Sequence, residues 1–237
     1  MSQFDKDDMD PMGLLKLDIL GVRMQSTMAY AVREIERVHG KVLDLDAVPR
    51  DDAATFKAIR TTNTLGIFQI ESPGQRELTG KHQPTQFNDL TIQISLFRPG
   101  PMKGNMIAPY LDGRHGFAKA DYIHKDLEPI LRETYGVVIF HEHVIRILHR
   151  MTGCGLAKAD ELRRSLEKPR IKPEIERFFR TTAAERGYSQ PVIERVWSVI
   201  EGFSSFGFCK AHGAAFALPT YQSAWLKTHY PTHFMAG

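Results

Sequence analysis

From His141 to His229 the chain reads as one helix after another, and this constrains its fold more than any other feature. The spacing of apolar residues predicts helices over His141–Met151, Leu156–Lys168, Pro173–Arg186, Ser189–Phe203 and Ala211–His229, with Gly187 stopping the third. Within the second span Leu162 and Leu166 share one face, which leaves Arg163, Arg164 and Lys168 on the other. Pro219 falls inside the last span and is expected to kink or break it, because proline has no N–H to donate and its ring crowds the preceding turn. Upstream, Met24, Met28, Ala31, Ile35 and Val38 recur at helical spacing, and Gly40 closes that helix. Asp51 or Asp52 is placed to cap a helix reaching Ile59, and Ser72-Pro73 to open another. Asn88–Phe97 is also helical and stops at the stiff turn Arg98-Pro99-Gly100-Pro101.

Three short apolar runs read instead as strands: Leu14–Leu20, Leu65–Ile70 and Gly136–Phe140. In the first, Leu15, Leu17 and Ile19 fall on one face, and Lys16 and Asp18 on the other between Leu14 and Leu20. The stretch 102–136 shows no regular period. The fold class expected from these elements is α+β, with a small β portion near the start followed by a mostly helical region.

Hydrophobic residues make up 42% of the 237 residues and charged residues 25%, as in a globular protein. No run of 18 apolar residues exists, so no transmembrane helix and no membrane partner are expected. The acidic start, with four Asp and one Lys in residues 1–10, lacks the features of a secretory signal. Cys154 and Cys209 show no pairing pattern and fit a reducing, cytoplasmic setting. Net charge is only +3, but the segment Lys158–Lys172 is rich in Arg and Lys, which permits a phosphate-bearing partner.

Four places can carry chemistry, and each has a plainer reading. Asp18 beside Lys16 fits a metal ligand next to a phosphate, or a structural ion pair in a buried strand. Arg98, presented by a rigid turn, suits bidentate contact with a triphosphate, or is a surface arginine. Gly202–Ala217 leads through Ser205 and Gly207 into Lys210 and His212 at a helix start. That is an anion site, or a helix whose small residues allow close packing. Arg163, Arg164 and Lys168 form a solvated face or line a channel for nucleotide or DNA backbone. Other motifs fail. Gly74–Lys81 has five residues between its glycines where a P-loop has four, and His82 follows the lysine. His141 and His143 diverge on a helix, so they read as non-ligands, and there is no CxxC pair.

The stretches GLLKLDILG, LGIFQIES, LFRPGP, LEPILRETYGVVIFHE, ADELRRSLEK, FGFCKAHGAAFALPTYQSAWLKTHYP and FMAG occur in this order along essentially the whole chain. Together they resemble the palm end and fingers of bacterial C-family DNA polymerases, the DNA polymerase III alpha subunits. QFDKDD and KAHGAAFALP look more like the error-prone or accessory type. Pro219 and the HEH at residues 141–143, where many relatives have Gln-Glu-Gln, are departures.

The resemblance implies residues 1–40 as the C-terminal part of the palm and 41–237 as fingers that continue further in the family. It implies templated nucleotidyl transfer from dNTP to a primer 3′-OH in replication or translesion repair, with two Mg²⁺ ions. The implied partners are primer–template DNA and, through other regions, a sliding clamp or other replisome subunits. Asp18 matches the third metal-binding aspartate, in the strand the family writes K-x-D-x-L-G, and Lys16 the lysine beside it. Arg98, Arg164, Lys210 and His212 match positions around the incoming nucleotide, and Ser205–Gly207 the adjoining turn. The family's other two aspartates sit in a D-x-D strand. Asp5, Asp7 and Asp8 are the nearest imitation here, so the chain alone is expected not to polymerise DNA. The alternatives are a non-catalytic nucleotide- or DNA-binding fingers fragment and the remnant of a split gene.

Overall fold

The computed structural model describes residues 4–9, 11–15, 17, 21–97, 106–203 and 208–237. The longer helices are α1 (Arg23–His39), α2 (Ala53–Arg60), α3 (Pro73–His82), α4 (Phe87–Leu96), α5 (Ile107–His115) and α6 (His141–Thr152). They continue with α7 (Leu156–Ser165), α8 (Lys172–Glu185), α9 (Gln190–Phe203), α10 (Lys210–His229) and α11 (Pro231–Ala236). Local chemistry sets several ends. The Asp52 carboxylate caps α2 by accepting the Thr55 N–H at 2.8 Å, and Pro73 stands in the first turn of α3 behind the Ser72 cap. Gly40 closes α1 in the left-handed conformation that costs glycine least.

Among the described residues, four apolar clusters build the interior. α6, α7, α8 and α9 bury Leu148, Met151, Leu162, Phe179 and Trp197 among themselves. α10 runs as a spine through the rest. It packs along α4 and α2, burying Phe56, Leu90, Ala217 and Tyr221, and its far end meets Met28, Ala31 and Ile35 of α1. The fourth cluster, with Leu96, Tyr110, Ile139 and Phe140, lies where segment 137–140 runs between the two bodies.

The β portion is not formed. Among the described residues there is no strand, only a one-residue parallel bridge between Phe140 and Phe208. Each expected strand fails for its own reason. In 65–70 the buried residues are Ile67 and Ile70, three apart, while Leu65 is exposed. Gly66 and Gln69 take positive φ, so the run coils through successive turns. Residues 137–140 are buried on all sides, but two of their polar backbone groups are met by side chains and others by local turns rather than by a neighbouring strand. Thr134 Oγ1 donates to the Val137 carbonyl at 2.7 Å, and the Ile139 N–H donates to His143 Nδ1 at 3.2 Å. In 14–20, Leu14, Leu15 and Leu17 are exposed rather than buried, while Lys16, Asp18, Ile19 and Leu20 lie outside the described residues. A buried palm-end strand needs sheet partners, and the described residues supply none.

Two further expectations are corrected. α5 occupies part of the stretch read as irregular, because its one buried residue, Tyr110, leaves little periodic signal. α10 passes Pro219 without breaking. Packing on α4 and α2 holds the helix where the proline removes the backbone bond to the Ala215 carbonyl. Gly74–Lys81 lies within α3, where Lys81 pairs with Glu77 at 2.6 Å.

A buried polar network ties α3, α4 and α5. His82 contacts Gln93 Oε1 at 3.1 Å and the Tyr110 hydroxyl at 2.9 Å, and Gln93 Nε2 donates to Thr79 Oγ1 at 2.7 Å. Beside it, Arg114 pairs with Asp89 at 2.7 Å.

Candidate functional site

The first N–H groups of any α-helix lack intrahelical acceptors and carry the positive end of its dipole. α10 has no acid in its own first turn. Glu142, from the first turn of α6, supplies the carboxylate: both its oxygens accept the Lys210 N–H, at 3.1 and 3.0 Å. The Phe140–Phe208 bridge and the bond from His141 N–H to the Phe208 carbonyl, at 2.9 Å, hold these two helix starts together.

The Lys210 side chain turns into a cavity of about 330 Å³ at this junction. Its Nζ donates to both oxygens of Glu133, at 2.8 and 2.6 Å, and lies 5.5 Å from the centre of the Phe140 ring. His143 closes the cavity from below and is 2% exposed. Because its Nδ1 accepts the Ile139 N–H, its proton sits on Nε2. That N–H has no hydrogen-bond partner, and the nearest Glu133 oxygen is 3.6 Å away. The His143 N–H dipole, with the Lys210 ammonium, holds the Glu133 carboxyl down at about 2 against the opposing effect of burial. Burial in turn lowers the pKa of His143 and keeps its ring neutral. Arg146, one turn beyond Glu142, lines the mouth.

Of the expected site residues that the structure describes, Lys210 is the one in this cavity. His212 is exposed on α10 and packs its ring between Phe208, at 5.0 Å, and Phe216, at 4.3 Å. Arg164 projects from α7 and pairs with Asp160 at 2.8 Å, while Leu162 and Leu166 face inward. Neither His212 nor Arg164 lines the cavity. Lys16, Asp18, Arg98, Ser205 and Gly207 lie outside the described residues. Asp5 and Asp8 cap one another's N–H groups, at 3.2 and 3.1 Å, around the single turn Lys6–Met9. Among the described residues no three His, Cys, Asp or Glu side chains gather as a metal site.

Sequence reasoning missed Glu133, Glu142 and His143. Glu142 left one trace: a helix start at Lys210 with no acid of its own calls for a carboxylate from elsewhere. Glu133 and His143 left none, since the approach of residues 133, 143 and 210 is a product of the tertiary fold.

Comparison with known proteins bears on this site. The sequence profile described as the bacterial DNA polymerase III alpha subunit finger domain matches residues 24–186. The chain is 41% identical over 237 residues to the error-prone DNA polymerase of Symbiobacterium thermophilum, covering 99% of this chain and 21% of that protein. It is 36% identical over 238 residues to the DNA polymerase III subunit alpha of Campylobacter jejuni, covering 100% of this chain and 20% of that one. It is 35% identical over 247 residues to the Escherichia coli K12 subunit, covering 100% of this chain and 21% of that one. The chain thus spans about a fifth of the length of these relatives.

Proposed function

Because the chain belongs to the bacterial DNA polymerase III alpha subunit finger-domain family, we propose that it supplies the surface that receives the incoming dNTP during templated nucleotidyl transfer onto a primer 3′-OH. The observation that carries this is Lys210. Its ammonium shares one cavity with the start of a 20-residue helix and a buried imidazole N–H, donors suited to phosphate oxygens.

In this reading residues 1–40 end the palm and 41–237 are fingers. Arg98, Arg164 and His212 join Lys210 around the nucleotide, and Ser205 and Gly207 form the turn beside it. Lys16 approaches the triphosphate, and Asp18 contributes to a magnesium site. When bound, the ions would activate the primer 3′-oxygen and neutralise charge on the transferred phosphate and departing pyrophosphate. The part of this chain's own residues is to bind and orient the triphosphate and to carry primer–template DNA, in replication or translesion repair.

The test is equilibrium binding of a fluorescent dNTP to the 237-residue chain, with and without primer–template. Lys210→Ala is expected to weaken binding about tenfold, the worth of one charge-assisted contact. Unchanged affinity would remove Lys210 from the site and with it the basis of this reading.

A further inference from the structure

Two carboxylates line the cavity at the start of α10 and occupy its donors in the way an anionic ligand would. Glu142 lies on the helix N-terminus, and Glu133 takes the Lys210 ammonium with both oxygens. Two cationic side chains, Lys210 and Arg146, and a positive helix end therefore face two internal anions. The exception to this pairing is His143. Its Nε2–H is buried and unpartnered, it lines the same cavity, and it stands just beyond hydrogen-bond reach of Glu133. A donor buried without an acceptor is costly, so it marks a place where an acceptor belongs.

The two carboxylates are not held alike. Glu142 is bound to backbone at a helix end, which is fixed. Glu133 is bound to a lysine side chain, and both side chains reach solvent, at 35% and 37% exposure. Partly exposed pairs of this kind contribute little and exchange readily.

We propose that Glu133 is an internal stand-in for phosphate: it holds the Lys210 ammonium in the ligand-free chain and swings out when a polyphosphate arrives, whereupon His143 Nε2–H and Lys210 Nζ become oxyanion ligands. The proposal rests on the phosphate-site reading above and adds to it a competing residue and a ligand. Departure of Glu133 leaves the cavity net positive, and Glu142 stays as the cap of α10. A polyphosphate with several terminal oxygens satisfies both donors together, whereas a phosphodiester in DNA presents only two unesterified oxygens.

The proposal is tested by calorimetric titration of the 237-residue chain with inorganic tripolyphosphate and, separately, with a short single-stranded oligodeoxynucleotide. Glu133→Gln keeps the shape of the side chain and removes its charge. It is expected to tighten tripolyphosphate binding about tenfold and to leave oligonucleotide binding unchanged. Adding His143→Leu to that variant is expected to lose most of the gain. Circular dichroism checks the fold of each protein, and the Glu133 variant alone decides the matter if the His143 change unfolds the core.

If wild type binds tripolyphosphate and Glu133→Gln binds it no better, Glu133 is merely a structural partner of Lys210 and the proposal fails by itself. If neither protein binds it, the phosphate reading of the cavity fails as well. A gain confined to the oligonucleotide would assign the cavity to DNA backbone and overturn the proposal.

Discussion

Arg114 donates to both carboxylate oxygens of Asp89, at 2.9 and 2.7 Å, and to the carbonyls of His82 and Gln83, at 2.8 and 3.2 Å. Burial pushes the Asp89 carboxyl upward, but the Arg114 fork and the Thr85 N–H outweigh it and hold the group ionised. The Asp89 side chain is 2% exposed, so removing its partner strands a buried charge. Arg114→Met is expected to cost about 3 kcal/mol in urea unfolding, and Arg114→Lys to recover less than half, since an ammonium cannot span four oxygens. His82 gives the same region a pH response. Burial lowers its pKa from the ordinary 6.5 to about 4. The folded protein therefore refuses a proton that the unfolded chain accepts. Stability is full above pH 6.5 and falls as pH drops towards 4, by on the order of 3 kcal/mol. NMR titration of the His82 ring, with urea melts across that range, checks both the value and the sign.

Elements meet closely where side chains are smallest. A Cβ placed on Gly213 would lie 2.6 Å from Ser95 Oγ and 3.3 Å from Thr91 Cγ2, so α10 can lie against α4 only without one. Alanine is the better helix former by about 1 kcal/mol, yet Gly213→Ala is expected to destabilise, because overpacking costs about 1–3 kcal/mol. Ser95→Ala should restore part of the loss, and a double-mutant cycle in urea would expose that coupling. Additive effects would show that the two helices do not constrain each other there. The small residues after Lys210 thus do serve close packing, which was the plainer of the two readings of that segment, while Lys210 itself faces a cavity.

The whole molecule is joined by alternating use of one segment: Val138 enters the core of the α6–α9 bundle, while Val137, Ile139 and Phe140 enter the core beside α4 and α5. The chain has two tryptophans, and they report on different bodies: Trp197 lies in the bundle, and Trp225 lies on α10. Single-tryptophan variants made with Trp197→Phe and Trp225→Phe are expected to unfold at the same urea concentration. Separate midpoints would mean two independent folding units. At this scale the sequence was legible wherever helices carried a clear apolar stripe, as in α1 and α6–α9, and wherever caps were local, as at Asp52 and Ser72. It misled at 65–70, where an apolar run coils through turns with residues three apart buried, and at 137–140, where a short run buried on all sides has no period to distinguish strand from coil. Lys210 was legible from its place at a helix start, but the carboxylates around it come from residues 133 and 142, and only the fold brings them there.

Glu142 belongs to the first turn of one helix and grips the first turn of another. Its carboxylate thus fastens the root of the spine to the head of the α6–α9 bundle, alongside the Phe140–Phe208 bridge.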